Sequence, residues 1–155
     1  MANLDVQFNI AKGKVGQYFA NVEANSPAGC EIAVVLLELT GLEADTALLD
    51  HDTLSVLLAA ANNEQTTMGR KVLVAADIAL TITDASDYSD IKLDTAITWT
   101  AATGNSCGKL VFCYDAAGTN VDANMIPLLG YTFLAVPDGS DIVVNDHANG
   151  LIRFT

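Results

Sequence analysis

Beyond Met68 the chain is a succession of short β-rich runs separated by turn clusters, and this cadence constrains the fold more than any other feature. Lys71–Val74 and Ile78–Thr83 (IALTIT) read as strands, the second with clean apolar–polar alternation. Ile91–Asp94, Ile97–Thr100, Lys109–Tyr114, Ile142–Val144 and Leu151–Phe154 continue the pattern. Turn signals recurring at roughly 8–12 residues favour a sandwich or barrel over alternating βαβ units. The stretch Ile97–Asp115 (ITWTAATGNSCGKLVFCYD) reads as a hairpin. Its β-branched and aromatic runs flank Thr103-Gly104-Asn105-Ser106, and Gly and Asn tolerate the positive φ that tight turns require. Met125–Val136 carries Pro127 and Gly130, which predicts a broken strand or one at a sheet edge.

The first half is less uniform. Leu4, Val6, Phe8 and Ile10 alternate with polar residues up to Gly13, a strand period. Residues 1–14 therefore read as an N-terminal arm or an edge strand, and residues 15–155 as one β-rich domain. Val15–Ala24 fits a strand or a helix. The length and β-branched content of Cys30–Thr40 (CEIAVVLLELT) predict a buried strand, with a helix as the alternative that periodicity leaves open. Leu54, Val56, Leu57, Leu58 and Ala61 share a helical face behind Asp52 and Thr53, either of which can cap it. The fold class expected is mainly β with one or two short α-helical segments, with α+β as the second architecture.

Composition narrows the function. Hydrophobic residues make up 51% of the 155, and charged residues only 17%, against roughly 25% in ordinary soluble domains. A sparsely charged surface of this kind favours an oligomer or assembly component. Nineteen acidic against seven basic residues give a net charge of −12. Such a chain is repelled by phosphate backbones and anionic membrane surfaces, so neither nucleic acid nor membrane is expected as a partner. The N-terminal sequence lacks a basic stretch followed by an apolar one, and reads as having no secretory signal. Cys30, Cys107 and Cys113 have no CxxC spacing and read as small buried hydrophobes, with a Cys107–Cys113 bridge across the hairpin as the alternative.

Few residues suggest chemistry. Asp50-His51-Asp52 is consecutive in sequence, which keeps the three side chains from converging, and reads as a helix N-terminus. The carboxylates Asp84, Asp87 and Asp90, with Asp94, are the best metal candidate, because oxygen-only ligands at three-residue spacing suit calcium. The EF-hand glycine and closing glutamate are missing there, so loop solubility is the simpler reading. Asp138, Asp141, Asn145 and Asp146 form a weaker acidic cluster, and His147 reads as part of a solvated turn. No nucleophile elbow or phosphate-binding glycine loop is present, so the chain reads as non-enzymatic, with no cofactor. Trp99 with Tyr18, Tyr88, Tyr114 and Tyr131 would suit a sugar-stacking platform, though Trp99 in an alternating strand is equally a core residue.

Two groups of segments carry a resemblance. The first is Phe8–Val15 (FNIAKGKV), with Ala33–Leu37, Thr40–Asp45 and Asp52–Leu54. The second is Trp99–Ala102, with Gly108–Asp115 (GKLVFCYD), Ile126–Leu128 and Pro137–Asp141. Together they resemble a family of small structural proteins from tailed bacteriophages. The resemblance implies a virion component on the capsid exterior, a decoration or cement protein bound to the major capsid protein, with no catalytic residues to carry over. It also suggests a homo-oligomer, a trimer at threefold positions. The expected interface residues are Phe8, Ile10, Lys12 and Lys14, since an alternating arm can add a strand to a neighbour. The alternatives are a head–tail connector or tail component, a carbohydrate-binding module built on Trp99, and a minor hydrolase.

Overall fold

The computed structural model describes residues 4–86, 88–146 and 150–154. In chain order they form β1 (Leu4–Gln7), α1 (Val15–Glu23), β2 (Glu31–Glu38), α2 (Asp45–Leu48), α3 (Leu54–Ala59), β3 (Lys71–Leu73), β4 (Ile78–Thr83) and β5 (Tyr88–Leu93). There follow β6 (Ile97–Trp99), β7 (Cys107–Asp115), β8 (Ile126–Ala135), β9 (Ile142–Val144) and β10 (Ile152–Phe154). The mainly β class is as expected, with three short helices rather than one or two. The central sheet has the order β1-β8-β7-β2-β3, and smaller sheets are formed by β10-β5-β4 and by β6-β9. Every pairing is antiparallel.

The central sheet is covered on both faces. Ile32, Val34 and Leu36 of β2, with Leu110, Phe112 and Tyr114 of β7, join α1 and both small sheets in one core. Ala33, Val35 and Leu37, with Val111 and Cys113, pack against β1, α2 and α3 in a second core. This explains the unbroken apolar runs of β2 and β7: alternation persists, but each face meets its own hydrophobic layer. All three cysteines are free and buried, as their spacing implied. Burial pushes the Cys113 thiol far above its ordinary range.

The helices follow their patterns. Val15, Phe19 and Val22 are buried in α1 at helical spacing, which decides the strand-or-helix choice. Thr53 caps α3, its Oγ1 accepting from the Val56 backbone N–H at 3.3 Å. Residues 4–14 are not a free arm. β1 is an edge strand of its own chain's sheet, and the alternating run turns at Asn9–Ala11 into a 3-10 turn.

Two strand expectations are corrected. Ile97–Asp115 is not a hairpin: β6 pairs with β9, whereas β7 pairs with β2 and β8. Both edges of β7 are taken by long apolar strands, which bury far more than a three-residue β6 would. The intervening segment crosses from the small sheet to the central one. Ala102 N–H donates to Ser140 O at 2.9 Å and Gly139 N–H to Ala102 O at 2.8 Å. Gly104, at φ +112°, is still required, since a Cβ there would lie 2.5 Å from Gln65 Nε2. Likewise β8 is an unbroken strand second from the sheet edge. β1 reaches only residues 129–131, so Pro127 lies where β8 has a single neighbour, and the β7 register shifts there, between Phe112 and Cys113. Gly130 lets β1 approach, because its Cβ would meet Val6 Cβ at 3.3 Å.

Candidate interaction surface

Several charged side chains hold the fold together. Arg70 forks onto Glu64 at 2.7 and 2.6 Å and reaches Asp122 at 2.6 Å, joining the segment before β3 to the turn before β8. The hydrogen bonds it donates to Glu64 and Asp122 raise the guanidinium pKa further above its usual value. Lys109 is buried in β7 and ion-paired with Asp45 and with Asp5, the latter at 3.7 Å. Asp115, fully buried at the end of β7, accepts backbone N–H bonds from Ala117, Thr119 and Asn120 at 3.0, 2.8 and 2.8 Å. The geometry makes it the anchor of the loop beyond β7.

Of the calcium candidates, Asp90 is likewise tied internally. Asp90 lies on β5 and is bound by both arms of Arg153, at 2.7 and 2.8 Å, with the guanidinium 3.8 Å from the Tyr88 ring. Asp84 lies in the 3-10 turn after β4, and Asp87 falls outside the described residues. Among the described residues no group of three or more potential metal ligands converges. In the second acidic cluster, Asp141 accepts from Ala101 N–H at 2.9 Å and Asp146 from Leu93 N–H at 3.0 Å. Asp138 accepts from Ser140 N–H at 3.0 Å. These carboxylates are turn and strand caps. His147 falls outside the described residues.

Sequence spacing missed one polar cluster. His51 Nε2 is 2.8 Å from Glu43 Oε2, while Asn62 Nδ2 donates to the same oxygen at 2.5 Å and Asn62 Oδ1 accepts from Glu43 N–H at 3.0 Å. The trio pins the segment before α2 to the end of α3. His51, expected at a helix N-terminus, instead pairs with Glu43, and the α3 cap is Thr53.

These contacts fix the acid response. The His51 hydrogen bond holds the Glu43 carboxyl below its usual value, the Arg153 bond does the same for Asp90, and the Ser140 bonds for Asp138. Burial works to raise Asp5, but hydrogen bonds to Thr132 and the charge of Lys109 lower it on balance. Stability from such groups is fully present above their unfolded values, 3.8 for Asp and 4.5 for Glu, and is lost as pH falls through the depressed ones. Glu31 has the opposite sign: burial, then the Asp115 charge, raise it, so its contribution is present below 4.5 and is lost as pH rises through the raised value. With four groups against one, the melting temperature is expected to fall between about pH 5 and pH 3, and less steeply in Glu43→Gln. Calorimetry across that window checks it; a rising melting temperature would refute the assignment.

The expected interface residues do not share one surface. Phe8 is fully buried in the second core. Ile10, Lys12 and Lys14 are exposed on the turn that follows it. Trp99 is 2% exposed and donates from Nε1 to Gly69 O at 2.9 Å, so it is a core residue and no stacking platform. Tyr114 and Tyr131 are buried as well.

The surface that stands out lies instead along the last half of β8. Leu134 and Val136 are 73% and 74% exposed, and Val143 on neighbouring β9 is 50% exposed. Thr132, Leu134 and Val136 continue the face on which Gly130 meets β1, but beyond the reach of α2 and α3. On the other face a cleft of ≈ 400 Å³ opens between β8 and β9, lined by Leu110, Phe133, Val143, Val144, Asn145 and Asp146 among others. Leu134 and Val136, two residues apart on one face of β8 and this exposed, mark a surface that is covered in use. Sequence hid it because Leu134 and Val136 have the same alternation as core residues.

No family model, curated protein or solved structure matches this chain.

Proposed function

We propose that the protein is a non-enzymatic structural component of a tailed-phage virion, a decoration or cement protein that braces the head by binding the major capsid protein. The observation that carries this reading is the apolar end of β8, with Leu134 and Val136 exposed on one face and Val143 at the cleft on the other, on a β fold that ties Arg70, Lys109 and Arg153 into internal ion pairs. A rigid body with a ready-made adhesive surface suits a binding role. Charge supports the outer face of the shell: a chain at −12 is repelled by packaged DNA. The resemblance of Phe8–Val15 and Gly108–Asp115 to small virion proteins adds to it. Many weak, symmetric contacts would then act together through multivalency.

The test is placement in the particle. Reconstruction of intact virions is expected to show the chain on the head exterior in hundreds of copies, and heads lacking it are expected to lose DNA at lower temperature. A dozen copies at the portal would make it a connector, and absence from the particle would end the reading.

A further inference from the structure

We propose that the last half of β8 receives an extended segment of a partner protein, apolar at alternate positions and flanked by lysine or arginine. This rests on the virion reading only for who supplies the segment, the capsid shell. β1 pairs with β8 over residues 129–131, whereas β8 continues to Ala135. Along residues 132–135 the only strand beside β8, among the described residues, is β7 on its inner side. A strand laid along the outer side would use main-chain hydrogen bonds for affinity and alternate side chains for fit.

Both faces of that position are prepared. Side chains alternate across a strand. One set from the incoming segment would cover Leu134 and Val136, and the other would enter the cleft between Phe133 and Val143.

Charge selects the occupant. Asp5 sits at the start of the position, accepting from Thr132 N–H, and Asp138 lies two residues beyond Val136, after Pro137. Asp146 lines the cleft, and Asp141 lies on the adjoining turn. Lys109, the cation tied to Asp5, is buried and already paired with Asp45. Apolar contact inside an acidic frame favours a segment with basic flanks. A second copy fits poorly, because it brings the same carboxylates and a net charge of −12. Its own alternating segment is also already committed as β1.

The test is titration of the isotope-labelled full chain with the synthetic peptide Lys-Lys-Val-Thr-Val-Thr-Val-Lys-Lys, followed by backbone amide resonances. Shifts are expected to concentrate on Thr132–Val136 and Val143–Asp146. The same peptide with glutamate flanks is expected to bind at least about tenfold more weakly at low salt. Leu134→Ser with Val136→Ser is expected to lose binding with the dispersion of the spectrum unchanged, since both side chains are exposed. No shifts, shifts elsewhere, or equal binding of the two peptides would overturn the proposal. So would concentration-dependent shifts at these residues without peptide, which assign the surface to a second copy. Binding that appears only after deletion of residues 1–3 would also overturn it, by assigning the position to the chain's own N-terminus. Peptide binding by a protein absent from virions would sink the virion role alone, and virion placement without peptide binding would sink this proposal alone.

Discussion

Trp99→Ala is expected to cost about 3–5 kcal/mol of stability, the range for truncating a large buried aromatic. Trp99 is 2% exposed and belongs to the core shared by the central sheet and both small sheets. Its truncation removes apolar burial, leaves a cavity at the start of the crossing segment, and strips Gly69 O of the indole N–H donated at 2.9 Å. Lys71 Nζ, 5.9 Å from the ring centroid, loses its aromatic neighbour too. Against the ~5–15 kcal/mol that a domain has in total, the loss is a large fraction. Urea denaturation checks it, with Trp99→Phe as the graded control: phenylalanine keeps most of the apolar contact and loses the hydrogen bond. An unchanged midpoint in Trp99→Ala would mean that the indole is not buried as described. The same result bears on the carbohydrate-binding alternative, because a Trp99→Ala variant that binds no glycan would report unfolding rather than a lost stacking surface.

Asp115→Ala is expected to cost about 2–4 kcal/mol, because one buried carboxylate satisfies three backbone donors at once. The loop it holds is tightly set. Gly118 has φ +59°, and a Cβ there would lie 2.3 Å from Gly29 O, so the chain passes close against the turn before β2. Loss of the anchor frees that loop, and water can reach its amides, which keeps the cost below the sum of three charged hydrogen bonds. A second readout separates charge from packing. Asp115 is registered directly opposite Glu31, and its charge helps burial to raise the Glu31 carboxyl. Both Asp115→Asn and Asp115→Ala are therefore expected to move the Glu31 titration down, as followed by carboxyl resonances. Asparagine should retain more of the stability, since its oxygen can still accept. A Glu31 titration that stays in place in both variants would refute the coupling.

What was legible in the chain was what local chemistry decides. The IALTIT alternation gave β4 to the residue, the β-branched run of Cys30–Thr40 gave a buried β2, and Thr53 ahead of an apolar helical face gave the α3 cap. The three cysteines without CxxC spacing are buried and free. Where residues serve long-range partners, local reading failed. Thr103–Ser106 looked like a hairpin turn because its residues suit one, yet β6 and β7 each bury more apolar surface elsewhere. Asp84, Asp87 and Asp90 looked like ligands at regular spacing, but Asp90 faces Arg153, whose chain separation no spacing rule reaches.

The candidate surface divides in the same way. Its ingredients, Leu134, Val136 and Val143, are ordinary strand residues in sequence, and its acidic frame is four aspartates spread from Asp5 to Asp146. The sequence by itself determined the mainly β class, the two-sided burial that continuous apolar runs demand, and the excess negative charge that sets which partners are attracted. The tertiary structure alone decided which strands pair, which carboxylates are spent on caps and ion pairs, and which apolar residues are left uncovered. The reason is physical: alternation and propensity act between neighbours in the chain, whereas exposure depends on where β1, α2 and α3 stop covering the central sheet.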